Sequence, residues 1–159
     1  MKKKIIALLI AVIIGLIIGS FLVKGRIGTG AASKAYYPDG RLREVGRTKD
    51  GQLNGVFKSY YPSGNLKFTW TYKDGKKEGI AKFYFESGKL QAQVNYKNDQ
   101  SDGVSKFYFE NGKLQAEMAY KAGKLDGVSK TYRPSGEIIY IDTYENGEMK
   151  VRKPVDEKK

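Results

Sequence analysis

The chain has 159 residues, a formal charge of +12, and neither cysteine nor histidine. One domain is the default for that length. The two absences exclude a disulfide framework, a Cys/His zinc site and any serine–histidine or cysteine–histidine nucleophile pair.

The first element is apolar. Lys2, Lys3 and Lys4 precede a stretch, Ile5–Val23, that carries no charge. A helix of that length spans about 28 Å, close to the hydrocarbon core of a bilayer. One N-terminal transmembrane helix is therefore expected within residues 1–26, with a short linker at 27–30. The run is longer than the roughly 7–15 apolar residues of a signal-peptide core. The small residues TGAAS at 29–33 nevertheless leave a cleaved, secreted form as the alternative. Lys2–Lys4 outweigh Lys24 and Arg26, so the N-terminus is expected in the cytoplasm and the remainder outside it. No cysteine follows the run, so lipoprotein-type lipidation is not expected there.

Beyond it the chain repeats. Gly55, Gly79, Gly103 and Gly127 stand 24 apart, and Ala31 holds the same phase one step earlier. The units are 31–54, 55–78, 79–102, 103–126 and 127–150, and the third and fourth share 14 of 24 residues. Lys34, Lys58, Lys82, Lys106 and Lys130 hold the fourth position. Tyrosine holds the sixth and glycine the tenth in every unit. Glycine-containing turns such as PSGN and ENGK alternate with turns such as KDGK and KAGK, and KNDQ is a weaker version of the latter. The segments between them are short and rich in Tyr, Phe, Val and Thr, which suits strands rather than helices. The body is expected to be all-β: an elongated, single-layer antiparallel meander of five 24-residue hairpin repeats, followed by a charged tail at 151–159. A lone hairpin is unstable in water, so each unit needs its neighbour's edge and apolar face.

Pairing across two-residue turns places Tyr61 opposite Leu66, Ser59 opposite Phe68 and Phe57 opposite Trp70. It likewise pairs Phe85 with Leu90, Phe83 with Ala92, Phe109 with Leu114 and Phe107 with Ala116. Carried through the second turn, it sets Trp70 opposite Gly79, where a large side chain could lie over bare backbone. One face is then apolar, and Glu44, Gly46, Arg133 and Asp142 interrupt it in the end units. A type I turn with a G1 bulge is the alternative; it would shift the register by one and flip the first strand of each hairpin.

The unit GVSKFYFENGKLQAEMAYKAGKLDG resembles the MORN-repeat variant of bacterial proteins, often grouped as YwqK-type antitoxin-like proteins. The shared elements are Tyr-x-x-x-Gly at the first turn, the leucine two residues later, and the closing Tyr-x-x-Gly-Lys-x-x-Gly. YKAGKLDG at 120–127 and YKDGKKEG at 72–79 fit that close, whereas YKNDQSDG at 96–103 lacks the middle glycine. The resemblance covers about 31–150. It implies an elongated single-layer sheet with binding or scaffolding roles, and its antitoxin label implies an intracellular neutraliser of a toxin.

The residues offer no catalytic set. Glu86, Glu110, Glu78, Asp102 and Asp126 lie beside turns, and their spacing matches no calcium loop. No enzymatic activity, cofactor or metal is expected. Two binding faces are expected instead. Phe57, Tyr61, Phe68, Trp70, Phe83, Phe85, Phe107 and Phe109 form the candidate partner-binding face, for an unknown protein or a second copy. Lys58, Tyr60, Lys82, Tyr84, Lys106 and Tyr108 form a candidate face for an envelope polymer or anionic lipid. Beyond the apolar start, residues 31–150 hold 20 basic and 15 acidic residues. That mixture is a solvated surface, so no nucleic-acid partner is expected. The function expected is a membrane-anchored, extracytoplasmic binding or assembly module.

Overall fold

A computed structural model describes residues 32–155. The expected membrane helix at Ile5–Val23 lies outside the described residues. Among those described there is no helix, only strands and turns.

In chain order the strands are β1 (Ala32–Tyr36), β2 (Leu42–Lys49), β3 (Gln52–Leu53), β4 (Gly55–Tyr60) and β5 (Leu66–Lys73). They continue as β6 (Lys76–Lys77), β7 (Gly79–Tyr84), β8 (Leu90–Lys97), β9 (Gln100–Ser101) and β10 (Gly103–Tyr108). The last are β11 (Leu114–Lys121), β12 (Lys124–Leu125), β13 (Gly127–Tyr132), β14 (Ile138–Glu145) and β15 (Glu148–Pro154). The long strands make one open antiparallel meander in the order β1-β2-β4-β5-β7-β8-β10-β11-β13-β14-β15. The two-residue strands β3, β6, β9 and β12 fold back on β2, β5, β8 and β11. The fold is the expected single-layer sheet of five hairpins, and β15 runs past the fifth unit into the charged tail.

The first turn of each hairpin corrects the expected register in detail. Gly64 N–H donates to Tyr61 O, and Tyr61 N–H to Asn65 O, each at 2.8 Å. With Gly64 at φ +90°, this is a type I turn closed by a G1 bulge, with Pro62 favoured at its second position. The same two bonds recur in all five hairpins. Alone, that turn would flip β4. A second bulge between Ser59 and Tyr60 takes up Lys67, so Tyr60 pairs with Leu66 while Ser59 pairs with Phe68 and Phe57 with Trp70. Tyr61, Phe85 and Phe109 therefore do not face Leu66, Leu90 and Leu114; Tyr60, Tyr84 and Tyr108 do. The rest of the expected pairing within each hairpin survives, because a one-residue slip would turn every aromatic of the strand to the wrong face.

The second turn is a two-residue type I′ turn, with Asp74 at φ 49° and Gly75 at φ 79°. Asn98 and Asp99 adopt the same conformation without glycine, at φ 49° and 68°. The Asp99 carboxylate offsets that strain by accepting a hydrogen bond from Lys77 N–H at 2.8 Å.

After this turn the register slips by two. Phe68 pairs with Phe83 and Thr69 with Lys82, so Trp70 does not face Gly79. Gly79 sits at the slip with φ +78°, and a Cβ there would meet nothing within 4 Å. Its glycine serves the left-handed backbone and not a ring lying over it. The ring-over-backbone arrangement occurs at Gly46, where a Cβ would lie 2.7 Å from Phe57 Cδ2.

The slip of two preserves side-chain parity, so one face stays apolar across the sheet. Its core is Ala92, Val94, Phe107 and Ala116, with Phe83, Tyr96 and Met118 packed against it. Small residues alternate with large ones there, and Ser105 has 0% exposure. The units are also tied along both edges. Gly75, Asp99, Gly123 and Gly147 donate N–H bonds to Leu53, Lys77, Ser101 and Leu125 O, one unit back. At the other edge Tyr37 Oη donates to Tyr60 O at 2.7 Å, and Tyr61 Oη to Tyr84 O at 2.8 Å.

Candidate binding faces

The inner face carries the aromatic residues. Phe68 stacks on Trp70 with centroids 4.7 Å apart, and on Phe57 at 6.2 Å. Tyr72 meets both Phe57 and Trp70 edge-on, and Phe83 lies 6.1 Å from Phe68. Offset and edge-on pairs of this kind are each worth about 1 kcal/mol beyond the area they bury. Lys77 Nζ lies 4.0 Å over the Trp70 ring and 5.4 Å from the Tyr96 centroid. Burial pushes its pKa down, with the Asp99 charge acting in the opposite sense. Burial pushes the Tyr72 hydroxyl up to about 12, helped by the charges of Asp99 and Tyr96.

Of the residues assigned to this face, Phe57 and Phe107 are buried. Phe68, Trp70 and Phe83 are half-buried and form the cluster with Phe57. Tyr61, Phe85 and Phe109 stand apart at the first-turn edge, where Tyr61 is occupied by its bond to Tyr84. Sequence reasoning missed Tyr72 and Lys77 as members. The signal for Tyr72 was the parity it shares with Phe68 and Trp70. Lys77 reaches the cluster only through its pairing with Tyr72 on the folded-back β6.

The outer face carries the charge. Lys34, Lys58, Lys82, Lys106 and Lys130 lie in one row, separated by Val45, Thr69, Gln93 and Glu117 on intervening strands. Ile141 and Lys153 extend the row onto β14 and β15. Lys106 Nζ pairs with Glu117 Oε1 at 3.4 Å. The Tyr132 hydroxyl donates to Glu117 Oε2 at 2.9 Å, which places the sixth-position tyrosines on this face. Burial first, and then Glu117, pushes Tyr132 up to about 12. Lys58 and Lys82 are exposed, Lys106 is half-exposed, and Tyr60, Tyr84 and Tyr108 are half-buried.

The recurring acids have a structural use. Glu78, Asp102 and Asp126 accept hydrogen bonds from the N–H of Asn98, Ala122 and Asn146, the residues that open the next unit's type I′ turn. Each acid caps a turn 20 residues on, which accounts for the acid before Gly79, Gly103 and Gly127.

The model of the MORN repeat variant matches residues 53–74, 77–98, 101–122 and 125–151, together more than half of the chain. Each match starts on or next to a folded-back short strand or its equivalent turn, so the family unit runs from one second turn to the next. No curated protein is significantly similar to the chain. The hairpins, their 24-residue spacing and these four matches place the chain in the MORN repeat variant family.

Proposed function

We propose that the protein is a non-catalytic binding module, anchored in the membrane by Ile5–Val23, that displays its repeats outside the cytoplasm and holds a protein partner on the inner aromatic face. The observation carrying this reading is the cluster of Phe57, Phe68, Trp70, Tyr72 and Phe83 on one face of a single-layer sheet. Among the described residues no helix covers it. Aromatic residues with a desolvated centre are the usual anchors of protein interfaces. The YwqK-type reading, a cytoplasmic neutraliser of a toxin, requires the opposite topology; accessibility of the repeats to an externally added protease on intact cells separates the two.

A photo-cross-linking residue placed at Trp70 or at Ile80 in the full chain, in living cells, tests the face. Position 70 is expected to give one discrete adduct and position 80 none. An adduct of twice the chain mass identifies a second copy as the occupant. An adduct from position 80 alone overturns the assignment.

A further inference from the structure

The inner face leaves the outer one without a role, and the outer face is where the positive charge is concentrated. Besides the row of Lys58, Lys82, Lys106 and Lys130, parity puts Lys49, Lys73, Lys97 and Lys121 on the same side near the second turns. These four are exposed. Alternate strands are about 10 Å apart and four residues of strand span about 14 Å. The face thus bears two parallel lysine rows about 14 Å apart, each repeating at about 10 Å.

Between the rows, alternate strands carry aliphatic residues, each paired with Thr71, Asn95, Ala119 or Thr143. Val56, Ile80, Val104 and Val128 occupy equivalent positions at 51%, 52%, 48% and 52% exposure. Among the described residues, Lys106 is the member of these rows that forms an ion pair, with Glu117. The turns also set like charges directly opposite each other, Lys73 against Lys76 and Lys121 against Lys124. Such pairs destabilise a sheet. Their repetition is a cost that an anionic ligand would relieve.

We propose that the outer face binds a linear polyanion of phosphodiester or polyphosphate type, laid across the strands between the two lysine rows. Two observations and one general property of sheets select this occupant. The charge repeats along a line crossing the strands, which suits a chain with regularly spaced anions. Adjacent strands rotate by about 20°, so a line across the sheet turns through roughly 200°; a flexible polymer can follow it, and a flat bilayer touches only a few units. The residues between the rows, aliphatic ones paired with Thr71, Asn95, Ala119 and Thr143, offer no ring for a base to stack on; the half-buried sixth-position tyrosines lie on the far side of the first row. The proposal concerns the outer face and does not depend on the partner assigned to the inner one.

The test uses the full chain in phosphatidylcholine nanodiscs with inorganic polyphosphate as the probe. The triple variant Lys58→Gln/Lys82→Gln/Lys130→Gln is compared with Lys89→Gln/Lys113→Gln/Lys150→Gln, which removes the same charge elsewhere. The outer-face variant is expected to bind at least about tenfold more weakly. Its log–log salt slope is expected to fall by about two, as loss of three counterion-releasing contacts requires. The control variant is expected to keep most of the affinity, and circular dichroism checks that both variants fold. Equal losses in the two variants, or no binding by the parent, overturn the proposal. So does tighter binding to phosphatidylglycerol vesicles or to oligothymidylate than to polyphosphate.

Discussion

Val104 and Ser105 are neighbours on β10, yet Val104 is 48% exposed and Ser105 not at all. The same contrast runs through every repeat: alternate residues of one strand meet different surroundings. The inner residues hold the units to one another, and the outer ones set the charge pattern. This division explains how a sheet one layer thick has a core, because large inner side chains shade the small ones between them. It also means that the chemistry of one face can change with little effect on the stability supplied by the other.

The largest expected effect is a test of that division within one strand. Phe107→Ala empties the core at a residue 6% exposed and is expected to cost about 3–4 kcal/mol in urea unfolding. Val104→Ala, three residues away on the other face, is expected to cost less than about 1 kcal/mol. Comparable losses would dissolve the contrast.

The next effect sharpens the comparison at the C-terminal unit. There Asp142 stands on the inner face where Met118 stands one unit earlier. Arg152 of β15 holds its carboxylate with two bonds of 2.8 and 2.7 Å, and the side chain of Asp142 is 6% exposed. Arg152→Ala leaves that charge buried and is expected to cost about 2–3 kcal/mol. The double change Asp142→Met with Arg152→Leu is expected to recover most of the loss, since it gives the last unit the interior's chemistry. Thermal unfolding of the parent and the two variants reads both effects.

Gly79→Ala tests the slip between hairpins. It places a side chain at φ +78° with open space around it, so the expected cost is backbone strain of about 1 kcal/mol and no loss of packing. A null result would mean that the left-handed conformation is not needed.

The smallest effect is pH-dependent. Burial on the inner face of the first unit raises the Glu44 pKa above the ordinary 4.5, with Arg43 and Lys67 opposing it. The folded state therefore holds this proton more tightly than the unfolded one. Its contribution favours the fold below pH 4.5 and is lost as pH rises through the elevated value. Glu44→Gln is expected to be more stable than the parent above that window and equal to it below, read from unfolding midpoints across pH. A gain that persists at low pH would contradict the origin assigned to it.

Much of this molecule is legible in the recurrence of its glycines. The period, the hairpins and the pairs Phe57–Trp70, Phe83–Ala92 and Phe107–Ala116 follow from turn chemistry and alternation. Two features do not follow. The bulge at Lys67 that cancels the G1 bulge at Gly64 leaves no residue signature, because it satisfies a whole-strand requirement that aromatics stay inside. The slip at Gly79 preserves parity, so alternation cannot distinguish it from a continuous hairpin. At the faces, the aromatic cluster was legible as a stripe. Capping by Glu78, Asp102 and Asp126 acts 20 residues away, across a boundary between units, where local reading sees only an acid beside a turn. The bond from Arg152 to Asp142 crosses from the charged tail into the last repeat and is equally invisible to local pattern.

The absence of cysteine makes one measurement decisive both for the two faces of the sheet and for the proposed display outside the cytoplasm. Val104→Cys, Ser105→Cys and Lys106→Cys in the full chain would each be exposed to a membrane-impermeant maleimide on intact cells. The account predicts rapid labelling at 104 and 106, and labelling at 105 only after denaturation. Equal rates at 104 and 105 would contradict the division between the faces, and labelling that requires cell lysis at all three would contradict the extracytoplasmic display.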